Sequence, residues 1–300
     1  MKELRIIDIK NHQSLQKFNI FVMIKKKFYD AEGREMYYVG DNSGDLKVFI
    51  PGGNKYNIGD VIKIEAVLDG KFKVNKSEKI ENFKIEDFLP SVKRPIEDIM
   101  SELKSISEQE FKDIQVKALN DYFFNDIEFL NKFKKAIGGI SQHHGYLGGL
   151  AEHTLNVTYL TKIFAYRYDC KYKEIAILAA KLHDIGKIYE YSYNGPFSMS
   201  TRGEMEGHIV IGITMVEQAF KERPEFYTEE FKHRIKGCIV QHHGKVEYGS
   251  PKAPNTEEAF IVHYADYVDA TMNKIWQVKE ITEPGTWSEY DRRIGTKLFV

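Results

Sequence analysis

The sequence has little cysteine. Only Cys170 and Cys238 occur, and no CxxC pair. That excludes a disulfide framework and a cysteine-based zinc site, and it suits a reducing compartment. Long apolar runs are also missing: none approaches the ~20 residues that span a bilayer. The opening residues alternate charged with apolar side chains and contain no hydrophobic signal core. A cytoplasmic protein with no membrane partner is expected. Neither sign of charge dominates, since 43 Lys and Arg face 44 Asp and Glu. A chain-wide basic field for nucleic acid is thereby excluded, so such a partner needs a local patch or a metal site. What is present is a globular composition, 42% hydrophobic over 300 residues, long enough for two domains with cores of their own.

Residues 1–90 read as strands. Apolar or alternating runs at Phe18–Ile24, Met36–Val39, Leu46–Ile50 and Val61–Leu68 are separated by turn signals such as Asp41-Asn42-Ser43-Gly44 and Asp69-Gly70. Short strands at near-regular spacing predict a small β-barrel or sandwich. Lys25, Lys26 and Lys27, with Tyr37 and Tyr38 in the facing strand, offer a basic and aromatic surface for single-stranded nucleic acid. The same pattern serves a barrel filled by aromatics and solvated by lysines. Pro90 and Pro95 flank a short extended linker, after which the period becomes helical. Ile96, Ile99, Met100 and Leu103 share one helix face, and Phe111, Ile114, Ala118 and Tyr122 suggest another. A linker and helical connection is expected over 91–130 and an all-α bundle over 131–300, with a short hairpin between Tyr189 and Ser200.

The chemistry centres on Lys181–Lys187, Lys-Leu-His-Asp-Ile-Gly-Lys. His183 and Asp184 end an apolar helical run that Gly186 is expected to stop. His153 shares a face with Val157, Leu160 and Phe164, and His208 with Ile211, Gly212 and Met215. His242 continues the face of Ile235, Cys238 and Ile239, with His243 turned about 100° away. Asp266 lies on the face of Ala259, Val262 and His263. One buried His or Asp is ordinarily a satisfied core residue. Five helical segments that each turn one inward are better explained by a metal cluster, because unpaired buried carboxylates are expensive. A His/Asp set without Cys suits Mn²⁺, Fe²⁺, Co²⁺, Ni²⁺ or Zn²⁺. His263 is read as packing, and His12 and His233 as surface residues.

In order and helical context, His153, His183-Asp184, His208, His242 and Asp266 resemble the HD-domain superfamily of metal-dependent phosphohydrolases. With "HHGYLGGLAEHT" before the first His and an OB-like region ahead of it, the chain resembles the bacterial OB–HD 3′-to-5′ exoribonuclease family of the YhaM type. The resemblance implies an OB-like barrel followed by an HD bundle. It also implies a manganese-type ion and release of 5′ mononucleotides from a free 3′ end of single-stranded RNA, or of single-stranded DNA. Two ions are expected, with Asp184 bridging them. His153, His183 and Asp266 complete one site, and His208, His242 and His243 hold the other. A bridging hydroxide attacks phosphorus, and Lys187 offsets developing charge. His143 and His144 either contact substrate or pack the glycine turn at Gly148-Gly149. Two rivals remain. One is a phosphohydrolase of a small or cyclic nucleotide. The other is a non-enzymatic single-stranded nucleic-acid-binding protein with a structural metal site.

Overall fold

A computed structural model describes residues 2–12, 14–30, 32–52, 55–140 and 144–300. The chain divides into two units, 1–91 with 192–198, and 92–191 with 199–300.

The first unit is built on one antiparallel sheet. Its elements are β1 (Lys2–Leu4), α1 (Ile6–Lys10), β2 (Ser14–Tyr29), β3 (Glu35–Asp41), β4 (Gly44–Phe49), β5 (Val61–Asp69) and β6 (Lys71–Ile80). The strand order is β4-β3-β2-β5-β6, with β1 parallel to β2. Phe18, Ile20, Val22 and Ile24 of β2 alternate into the core against Ile62, Ile64 and Ala66 of β5 and Val39 and Val48 of β3 and β4. The expected barrel is open: among the described residues no ladder joins β4 to β6. The lysine-rich β6 was not anticipated from sequence, because only Phe72 and Val74 lend it a pattern; its partner β5 supplies the pairing.

A bulge in β2 decides which side chains meet solvent. The register with β3 shifts between Ile24 and Lys26. One inserted residue reverses the faces beyond it. Lys26 is thereby turned outward, where it forms one cross-strand row with Tyr38 and Lys47, while Tyr37, two residues before the buried Val39, points inward and is 1% exposed. Phe28 stacks on Tyr38 with ring centroids 4.9 Å apart, and Lys47 Nζ lies 4.6 Å from the Phe28 ring.

The second unit is helical. It begins with α2 (Ile96–Glu110), α3 (Ile114–Phe124), α4 (Ile127–Phe133), α5 (Gly149–Arg167), α6 (Lys173–Leu182) and α7 (Lys187–Glu190). A two-residue hairpin pair, β7 (Tyr191–Ser192) and β8 (Ser198–Met199), leads to α8 (Thr201–Glu222), α9 (Glu229–Gln241) and α10 (Glu257–Glu280). Side-chain caps start many of these helices. Asp113, Asp126, Ser200, Thr228 and Thr256 each accept from backbone N–H groups of the first turn. The expected face of α3 is rotated. Phe111 caps α2 and Ile114 is exposed, while Val116, Leu119 and Phe123 are buried. The Asp113 cap starts the helix later than apolar spacing alone suggested.

At the centre, α6 packs against α5, α9 and α10. It is buried from Ile175 to Leu182, so its C-terminal end delivers the next two residues to the middle of the bundle. No helix among the described residues is long and apolar enough to cross a membrane.

Candidate metal centre

His183 and Asp184 follow the last turn of α6 and are 0% and 2% exposed. Gly186 does not stop that helix, which ends at Leu182, and its φ of −61° is an ordinary right-handed one. Its role is close approach: a Cβ there would stand 2.0 Å from the carbonyl oxygen of His208. Gly207 matters differently. With φ 71° and ψ 157° it interrupts α8 one residue before His208. The His208 N–H donates to Glu190 Oε1 at 2.9 Å, and its ring Nδ1 lies 3.0 Å from the same oxygen.

Five helical segments meet here. Asp184 Oδ2 lies 3.3 Å from His153 Nε2 and 3.4 Å from His183 Nε2, and Asp266 Oδ1 lies 3.2 Å from His153 Nε2. The other oxygen, Asp184 Oδ1, lies 3.4 Å from His208 Nε2 and 3.5 Å from His242 Nε2. His243 Nε2 is 3.3 Å from His208 Nε2. The two oxygens of Asp184 thus face two separate groups of imidazoles.

The outer nitrogens reveal the tautomers. His183 Nδ1 donates to the Ala180 carbonyl at 2.7 Å, and His242 Nδ1 to the Ile239 carbonyl at 2.7 Å. His153 Nδ1 donates to Asp269 Oδ2 at 2.6 Å, and His208 Nδ1 to Glu190. With a proton held on each Nδ1, the Nε2 atoms turn inward, and a neutral ring offers a bare lone pair there. Asp184 Oδ1 and His242 Nε2 are buried without any hydrogen-bond partner. Lone pairs on nitrogen opposed to carboxylate oxygens in a dry interior need a cation between them, and the donor set is one that holds divalent ions. The residues fit a metal centre.

Charge follows the same logic. Burial alone would raise the Asp184 carboxyl, but Lys187 and His183 outweigh it and hold it well below the usual range. Asp266 is likewise depressed against burial, chiefly by His153. Burial and the neighbouring His242 and His208 push His243 down to about 3, so it stays a neutral donor.

Other expected residues fall in varied places. Lys187 Nζ lies 2.6 Å from Asp184 Oδ2. His144 is 1% exposed, with Nε2 2.8 Å from Asp269 Oδ2. His143 lies outside the described residues. His263 Nδ1 donates to the His242 carbonyl at 2.8 Å, in keeping with a packing role. Far from the metal centre in sequence, Lys25 pairs with Asp45, Lys27 with Glu35, and the buried Tyr37 donates to Glu35. Tyr37 is therefore not on the outward surface, Lys25 and Lys27 are partly exposed, and Lys26 and Tyr38 are exposed.

Several residues went unnoticed in the sequence. Asp269 receives both His144 and His153, and Asn156 donates to its second oxygen at 2.8 Å. Its position three residues after Asp266, on the same helical face, was the available signal. Glu190 had no such signal. The C-terminal segment also connects to this network. Arg293 donates to Gln277 at 2.6 Å, Gln277 to Asn273 at 2.8 Å, and Asn273 accepts the His144 N–H at 3.0 Å.

Residues 150–271, within the helical unit, match the family model of the HD domain. The chain is 32% identical over 211 residues to the 3′-5′ exoribonuclease YhaM of Bacillus subtilis (strain 168), covering 70% of this chain and 65% of that protein. It is 29% identical over 250 residues to the protein of the same name from Geobacillus sp. (strain WCH70), covering 82% of this chain and 74% of that one. No solved structure matches.

Proposed function

We propose that the chain is a metal-dependent 3′-to-5′ exoribonuclease. It acts on single-stranded RNA, or single-stranded DNA, from a free 3′ end and releases 5′ mononucleotides. The observation that carries this reading is the pair of imidazole groups facing opposite oxygens of one buried carboxylate, Asp184. The names borne by the similar proteins support the polymer substrate and the direction.

His153, His183, Asp184 and Asp266 would hold one divalent ion, and Asp184, His208, His242 and His243 a second; Mn²⁺ is the ion that the family resemblance implies, and Fe²⁺, Co²⁺, Ni²⁺ and Zn²⁺ are also compatible with the donors. Divalent ions there supply Lewis acidity toward a phosphate and make water a nucleophile at neutral pH. The chain's own residues do the rest. Asp269 and Glu190 keep His153 and His208 in the donor-ready tautomer. Lys187 balances Asp184 and places a cation beside the reacting phosphate, where negative charge grows.

The β unit would hold the strand. Its order β4-β3-β2-β5-β6 is that of an OB barrel without the β4–β6 ladder. The outward row of Lys26, Tyr38 and Lys47, with Phe28 beside it, is a basic and aromatic platform of the kind on which bases stack.

The test is a gel time course on 5′-labelled single-stranded RNA with Mn²⁺, beside a copy with a blocked 3′ end. A ladder shortening from the 3′ end, absent with the blocked copy and with chelator, is expected. Hydrolysis of a small nucleotide with no cleavage of RNA would replace this reading by a small-molecule phosphohydrolase.

A further inference from the structure

We propose that a cavity walled by α2, α3 and α6 is a separate ligand site, for a small planar molecule carrying one anionic group. The cavity holds about 450 Å³, within the ~300–1,000 Å³ of small-molecule sites. This inference does not rest on the reading of the metal centre.

Lys181 is its key residue. The side chain is 1% exposed and lines the cavity from α6. Its Nζ donates to Ser107 Oγ of α2 and to Asn120 Oδ1 of α3, each at 2.5 Å. Both acceptors are neutral. Its nearest aromatic neighbour, Phe124, has its ring centroid 3.8 Å away and Phe111 has its own at 5.7 Å, and both rings line the cavity. Among the described residues no carboxylate comes within ion-pair distance of it. Glu108 at the rim is taken by Lys104 at 3.6 Å, and Asp121 is exposed and accepts from Asn120.

A buried ammonium surrounded by neutral acceptors and rings is costly, and an anion beside it offsets that cost. The two phenyl walls select a flat body, and Lys181 selects its charged end. Lys181 precedes His183 by two residues, about 200° around the helix. None of the residues of the metal centre lines the cavity, so its ligand leaves that centre open. A nucleoside monophosphate and an aromatic carboxylate share the required chemistry.

Both are titrated calorimetrically into the full metal-loaded chain: AMP and CMP in one arm, 4-hydroxybenzoate and indole-3-carboxylate in the other. The same titrations use Lys181→Met and, separately, Asp184→Asn. Methionine keeps the length and removes the buried charge, so the first variant is expected to fold. One arm should bind, Lys181→Met should weaken it at least about tenfold, and Asp184→Asn should leave it unchanged. The arm that binds identifies the source of the ligand. No binding in either arm would overturn the proposal. So would equal binding by Lys181→Met, and so would monophosphate binding lost only in Asp184→Asn, which belongs to the metal centre.

Discussion

The Nε2 atoms of His153 and His183 face each other at 3.2 Å. Each ring has already committed its Nδ1–H, one to Asp269 and the other to the Ala180 carbonyl. Two opposed lone pairs at that distance require a positive charge between them. Without metal, a proton serves. Burial disfavours it, but Asp184, Asp266 and Asp269 outweigh burial and hold His153 charged well above the ordinary imidazole range. A divalent ion entering this site must displace that proton.

Metal binding should therefore release protons at neutral pH. Calorimetric titration of chelator-treated protein with Mn²⁺, in buffers of different ionisation enthalpy, should show about one proton or more leaving per ion at this site. Heats independent of buffer would contradict the arrangement. Asp184→Asn, which leaves both imidazole groups without their shared carboxylate, should lower hydrolysis by at least ~10³ while the fold persists by circular dichroism.

Asp269 and Glu190 act through the rings they hold. Asp269→Asn and Glu190→Gln should each weaken metal affinity by about 10–100-fold. Competition with a chromophoric chelator measures this without reference to turnover. Affinity unchanged in either variant would show that the ring is held by packing alone.

Lys181 gives the chain a pH dependence of its own. Burial pushes its ammonium down to about 7, against about 10.4 in an unfolded chain. Between those values the unfolded state binds more protons than the folded one. Stability should therefore rise with pH across that window, by up to about 1.4 kcal/mol per pH unit. Below the window the full burial penalty is present. Lys181→Met should remove this rise and be the more stable protein at pH 6.5. Urea unfolding at pH 6.5 and 9 checks it, and parallel curves for the two proteins would refute it.

On the β unit, the alternation of β3 puts two neighbouring tyrosines on opposite faces. Tyr38→Ala should weaken single-stranded RNA binding by about 1–3 kcal/mol per stacked base, measured by fluorescence anisotropy. Tyr37→Ala should instead lower the melting temperature, because that ring is in the core. Equal effects on binding from both would mean that the outward face is not the platform.

The residues of the metal centre could be read in the chain because each continues an apolar helical stripe. His153 follows the face of Val157 and Leu160, and His242 that of Ile235 and Ile239. A 3.6-residue period tells which side of a helix faces the core without any knowledge of its neighbours. The strands from Phe18 to Leu68 were legible for the same local reason.

Tertiary structure alone decided what lies between elements. Glu190 meets His208 only because Gly186 and Gly207 bring α7 and α8 together. The β2 bulge turned Lys26 outward beside Tyr38, and a single inserted residue leaves no mark in composition. In the sequence Lys181 is one cation at the end of an apolar helix; its oxygens come from α2 and α3, 74 and 61 residues earlier. Periodicity is set by bonds within one helix or strand and so is written locally. Pairing across a sheet or a bundle depends on which surfaces the whole chain brings together, and that is settled only when it folds.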